Sequence, residues 1–334
     1  MSNKKLYPLT FTPQLRDYVW GGRNLETLYN RTLPPGITAE SWEISGHPTA
    51  TTIVDEGILK GQSLVHVLHD FGVDLVGTRA GWALERKVFP VLIKLLDANQ
   101  SLSVQVHPDD DYALKYEHGS LGKTETWYIL HAEPKSKIIF GLRHNVTPTT
   151  FRQSIKNDTI ETQLYYLPIK AKDSILVKAG SVHALLAGTV LVEIQQTSDI
   201  TYRLYDWERV GTDGKPRPLH MEKGQQVINF DQIEPTAYQP YLVYNQAGIT
   251  RSEISRCKYF VVEKVELEKG ASYHGHTDGQ TLEIWGTTEG MSELIWHEHI
   301  IPMPTIRFCL VPAILADFHI MAKTNCTMLR VYLP

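Results

Sequence analysis

Short segments rich in Val, Ile, Tyr and Thr, each cut off by Gly, Pro, Asn or Asp, recur along nearly the whole chain. KSKIIFGL, DSILVKAG, TVLVEIQQ, ITYRLYDW, YFVVEKVEL and CTMLRVYLP are examples. Runs of this length and composition suit pleated, half-buried surfaces. Repeated over 334 residues with no fixed period, they predict a mainly β chain built as barrels or jelly rolls. Helical patterns are few. One covers residues 63–77, another follows His107 in DDYALKYEH, and a third is TPTTFRQSIKN, where Thr147 is placed to cap a helix with Pro148 at its first position.

The length fits about two domains. Pro216, Pro218, Pro235 and Pro240 cluster among few apolar residues, which predicts a linker over roughly 216–245. The expected division is a first domain over 1–235, with a helical insertion near 63–85, and a second over 236–334. A net charge of −4, from 33 basic against 37 acidic residues, leaves no electrostatic footprint for nucleic acid or a membrane surface. MSNKKLYPLTF lacks the apolar core of a signal peptide, and no run reaches about 18 apolar residues. Cys257, Cys309 and Cys326 are too few and too scattered for a disulfide framework. A cytoplasmic location is the expectation.

The stretch SLSVQVHPDD carries the first chemical signal. Gln105 and His107 are two residues apart in an alternating run, so both leave a strand on one face. Glu125 opens the next strand-like segment, TETWYILHA, and His183 follows Asp173 and Gly180 in a D-x6-G-x-x-H pattern. Each alone has an ordinary explanation: a core histidine, or an edge-strand carboxylate facing solvent. Together they can form a divalent-metal site with an open position, and they would otherwise bury several polar groups without partners. Lys123 shares the face of Glu125, while Glu193 and Arg203 lie on the next two strands. As a group these supply cations for phosphate and a carboxylate base.

The C-terminal part imitates this arrangement. His274 and His276, with Glu283 seven residues on, resemble the start of a second metal motif, but the position expected to hold a late His offers Asp317. The run WHEHI, with His297 and His299 around Glu298, reads as a solvated strand.

YVWGGRNL, AESWEIS, FPVLIKLLDANQSLSVQVHPDD, GKTETWYIL, GSVHALLAGTVLVEIQQTSDITYRLYDW and VPAILADFHI together resemble the type I phosphomannose isomerases, in their short bacterial form, over nearly the whole chain. The resemblance implies two cupin-type (jelly-roll) β-barrels with a small helical insertion, the second barrel degenerate. It implies one zinc ion on Gln105, His107, Glu125 and His183. Lys123 matches a lysine near the metal, Arg203 the active-site arginine, Glu193 a pocket carboxylate, and Lys94 and Ser103 positions associated with the substrate phosphate. The loop between His183 and Glu193 is one residue longer than in some members.

The implied reaction interconverts mannose 6-phosphate and fructose 6-phosphate through an enediol. The proton-transfer base is left open between Lys123, Glu193 and a water held by the metal. Competing readings are an isomerase of another phosphosugar, a non-catalytic regulatory cupin that binds sugar phosphates, and a metal-dependent oxygenase, which Gln105 and the flanking cations fit poorly. The expected partner is a small phosphosugar, and the expected state a monomer or weak homodimer.

Overall fold

The computed structural model describes residues 5–210 and 214–334; the first four residues of the start read above as lacking a signal peptide lie outside them. The architecture is mainly β with a few short helices. The chain divides into two compact units, one made of residues 1–14, 42–94 and 239–334, the other of 15–41 and 95–238.

This grouping differs from a single cut near 235. The first unit draws residues 5–14 and 42–94 to the C-terminal strands through long-range backbone pairing. Phe11–Thr12 pairs with Ile53–Val54, Leu9 bridges Leu310, and the amides of Thr78 and Arg79 donate to the carbonyls of Gly279 and Gln280. The helical segments at Leu64–Phe71, Val73–Val76 and Gly81–Glu85 belong to this unit. Ser63 caps the first of them by accepting the His66 amide.

Two sheets hold the candidate site residues. In one the strands run Ser174–Val177, Glu125–Ala132, Thr189–Gln196, Val91–Ala98, Glu40–Ile44, Gln14–Arg16. In the other the order is Tyr202–Tyr205, Val104–Val106, His183–Leu185, Lys137–Leu142, Leu164–Pro168. Trp127, Ile129, Ile175, Val177 and Leu191 from the first sheet share one core with Ile138, Phe140 and Leu185 from the second, so the two layers face each other. The opposite face of the second sheet is also apolar. Val104, Val106, Ile139, Ala184 and Leu204 are covered there by Phe151 of the helix Pro148–Lys156 and by Met221 and Val227. In the first sheet the strand TVLVEIQQ is buried along its whole length, its Glu193, Gln195 and Gln196 included.

Two local expectations change. Among the described residues the strand pairings do not close either unit into a continuous barrel; the sheets keep edges such as Leu164–Pro168 and Tyr202–Tyr205. The predicted linker over 216–245 contains the helix Met221–Val227 and the strand Tyr241–Gln246. Gly224 hides that helix from a sequence reading, yet it allows the close approach: a Cβ there would sit 2.5 Å from Leu204 Cδ2. Thr147 caps its helix in a capping box with Thr150, Pro148 following.

The remaining strands belong to the first unit. One sheet runs Tyr241–Gln246, Ile249–Arg256, Val261–Leu267, Cys326–Tyr332, Glu283–Glu289, Phe308–Val311; the other runs Ser272–Thr277, Ala316–Ala322, Met291–Trp296, His299–Pro304. Trp285 of the former packs on Tyr273 and Phe318 of the latter, with ring centroids 4.9 and 6.3 Å away. Within WHEHI, Trp296 ends one of these strands and His299 and Ile300 begin the next, with only His297, at φ 52°, and Glu298 forming the turn between them.

Candidate metal centre

The register of the second unit assembles the site. Gln105 lies opposite His183 on one side and opposite Arg203 on the other, so three neighbouring strands present Arg203, Gln105 and His183 in one row. His107 follows two residues after Gln105. Its carbonyl accepts the amide of Gly180, 2.9 Å away, where φ of 86° favours glycine and turns the chain towards His183. On the facing sheet Glu125 pairs with Gln195, and Trp127 with Glu193; residues two apart share a face.

His107, Glu125 and His183 are all fully or almost fully buried and form, among the described residues, the one group of three whose ligand atoms lie within 4.8 Å of one another. His107 Nε2 is 3.6 Å from Glu125 Oε2, and His183 Nε2 is 3.4 Å from Glu125 Oε1. Ligands at about 2.0–2.1 Å around a tetrahedral ion stand about 3.4 Å from one another, so these separations match the edges of such a shell. His183 Nδ1 lies 2.9 Å from the Ser181 carbonyl. A carbonyl only accepts, so Nδ1 carries the proton and the Nε2 lone pair faces Glu125. The Gln105 amide is 3.3 Å from that same Nε2; exchange of its O and N by a flip presents an oxygen instead.

His107 Nε2 and the Glu125 carboxylate oxygens are buried without a hydrogen bond, although Glu125 Oε2 is ion-paired to Lys123. Burying unsatisfied polar atoms costs about 1–3 kcal/mol each, and a divalent cation would satisfy His107 Nε2 and the carboxylate together. The electrostatics favour the ligand forms. Burial, with Lys123 nearby, pushes the His107 imidazolium down to about 3, and burial also lowers His183. Burial resists ionisation of Glu125, but Lys123, His107 and His183 outweigh it and hold the carboxyl well below its usual range. Neutral imidazoles and an ionised carboxylate are what a metal requires.

Around this group Lys123 Nζ stands 3.1 Å from Glu125 Oε2 and 4.0 Å from Glu193 Oε1. Glu193 Oε2 accepts the Trp127 indole N–H at 3.0 Å, and the Trp127 ring meets His183 edge-on, with centroids 5.4 Å apart. Trp127 escaped the sequence reading, although its place two residues after Glu125 was a usable signal. Arg203 is half-buried: Nη1 donates to the Pro218 carbonyl at 2.9 Å, and its amide donates to His220 Nδ1 at 3.1 Å. Burial and Arg217 lower its affinity for the proton, against Asp206. Ser103 is buried just before the strand of Gln105. Lys94 belongs to the first unit and is buried with Nζ 4.5 Å from the centre of the Trp42 ring.

In the C-terminal imitation the residues separate. Glu283 is buried on a different sheet from His274 and His276, ion-paired to Arg330 and accepting the Trp285 N–H at 2.8 Å.

A β-sandwich with a buried two-histidine, one-carboxylate centre flanked by lysine and arginine defines a class of candidate metalloenzymes. The family signature "Phosphomannose isomerase type I, catalytic domain" matches residues 9–128. The mannose-6-phosphate isomerase ManA of Bacillus subtilis is 33% identical over 326 residues, covering 96% of this chain and 97% of that protein. A mannose-6-phosphate isomerase of Streptococcus mutans is 38% identical over 260 residues, covering 78% and 79%. The crystal structure of the Bacillus subtilis mannose 6-phosphate isomerase superposes with a TM-score of 0.87 at 31% identity, over 97% of this chain and 99% of that one. The chain belongs to the type I phosphomannose isomerase family.

Proposed function

We infer that this chain interconverts mannose 6-phosphate and fructose 6-phosphate through an enediol, with one zinc ion held by Gln105, His107, Glu125 and His183. The observation that carries the reading is the buried His107–Glu125–His183 group, whose Nε2 and carboxylate atoms face one another at coordination-shell spacing. A bound divalent cation supplies Lewis acidity for the charge that develops on the C1 and C2 oxygens. The other tasks fall to the chain. Arg203, with its fork of donors, holds an anionic part of the substrate, and Ser103 adds a hydroxyl donor near the phosphate. Glu193, oriented by Trp127, takes the C2 proton as the C1=C2 bond forms. Lys123 delivers a proton to O1, giving the enediol. Loss of the O2 proton and protonation at C1 then complete the ketose. Lys94, whose ammonium is buried beside the Trp42 ring, remains a further candidate for the substrate phosphate.

The second unit would be the catalytic body and the first a degenerate partner, each a jelly-roll sandwich. The protein would work in the cytoplasm as a monomer or weak dimer; among the described residues no helix is long and apolar enough to cross a membrane. A coupled assay with mannose 6-phosphate and with glucose and allose phosphates, run beside elemental analysis, tests the reading. His107→Ala should lose both metal and turnover while the fold persists. Full isomerase activity in that variant, or in metal-stripped protein, would overturn it.

A further inference from the structure

The imitation motif of the first unit gains a different meaning from its register. His274 lies directly opposite His319, and His276 directly opposite Asp317, on adjacent antiparallel strands. Alternation puts all four side chains on one face of the sheet. It is the outer face: His274, His276 and Asp317 are exposed, while Tyr273, next to His274, and Phe318, next to Asp317, point inwards onto Trp285. The rings of His274 and His319 meet edge to face, with centroids 4.5 Å apart at 85°. His276 Nδ1 is 2.7 Å from Asp317 Oδ1. His319 Nδ1 is shielded from solvent and has no hydrogen-bond partner.

We propose that His274, His276 and His319 form a second divalent transition-metal site, with Asp317 orienting His276. A His-x-His pair on one strand and a third His across the ladder give three imidazoles on a rigid sheet, the donor set that zinc accepts with water in the fourth position. Imidazole donors select zinc, nickel or copper over magnesium or calcium. The Asp317 carboxylate fixes the proton of His276 on Nδ1, so Nε2 keeps its lone pair; this is the usual partnership of a metal-bound histidine with a carboxylate behind it. The side chains do not yet converge on one point. His276 and Asp317 are 59% and 80% exposed at their side chains, so the bonded pair can turn together towards His274 and His319 on a fixed backbone.

The test is equilibrium dialysis of the full chain against Zn²⁺, with bound metal counted by elemental analysis. The double variant His274→Gln/His319→Gln should bind one equivalent fewer than the parent and keep its isomerase activity. Asp317→Asn should weaken that equivalent about 10- to 100-fold. His297→Gln/His299→Gln, which alters neighbouring surface histidines, should leave the count unchanged. The proposal is overturned if parent and His274→Gln/His319→Gln bind equal amounts, or if the His297→Gln/His299→Gln variant loses the same equivalent. Because the count is read as a difference, failure at the buried centre would appear separately, as loss of the equivalent that depends on His107.

Discussion

Acid should destabilise the metal-free protein through His107 by an amount that can be worked out in advance. The imidazole has a pKa of about 3 in the fold and about 6.5 in the unfolded chain. Between these values the unfolded state binds the proton and the folded state does not, so stability rises with pH there and is lost as pH falls below 6.5. From pH 7 to pH 5 the loss from this one residue is about 2 kcal/mol. That figure hardly depends on the folded value, because any pKa below about 4 leaves His107 neutral at pH 5. His183 is shifted the same way by burial and adds to the fall. The experiment is urea unfolding of chelator-treated protein at pH 7 and pH 5, for the parent and for His107→Gln, followed by tryptophan fluorescence. The parent should lose about 2 kcal/mol more than the variant over that interval. If both lose the same amount, the picture of a neutral histidine sealed beside Lys123 and Glu125 is wrong.

Trp127→Phe keeps a ring against His183 but removes the N–H donated to Glu193. It should cost about 2 kcal/mol in thermal unfolding and lower kcat more than it changes KM. Arg203→Lys replaces a fork with a point charge and should raise KM for mannose 6-phosphate about tenfold or more at near-parental stability, read from steady-state kinetics. Gly77→Ala should destabilise by about 3 kcal/mol or more in thermal melts. Gly77 sits at φ 87° and ψ 166°, where an added Cβ would lie 2.4 Å from the Gln280 backbone.

The candidate His107–Glu125–His183 group was legible because its spacing obeys local rules. Gln105 and His107 show the period of a strand, and Gly180 marks the turn before His183. The support around it was less visible. The row Arg203–Gln105–His183 depends on strand order, since the segment 104–106 pairs with 183–185 and 202–205; no local pattern encodes that interleaving. The grouping of 42–94 with 239–334 rests on similarly distant pairings. The helix Met221–Val227 was missed for another reason: a glycine and scattered polar residues lower its helical signal, and packing against Leu204 compensates. The mainly β composition was readable, but whether the sheets close was not, because closure is set by pairing at the edges.

The two faces that build the buried centre come from separate layers, with Gln105 and His183 on one sheet and Glu125 on the other. Secondary structure alone therefore makes no site. A compact state with every strand formed but the layers apart would lack the chelating group, so metal affinity gauges how tightly the sandwich is shut. By reciprocity, an ion that binds only the shut form pulls the layers together, by RT ln(1 + [M]/Kd). Withdrawing it should first loosen the gap between the layers and leave each sheet intact.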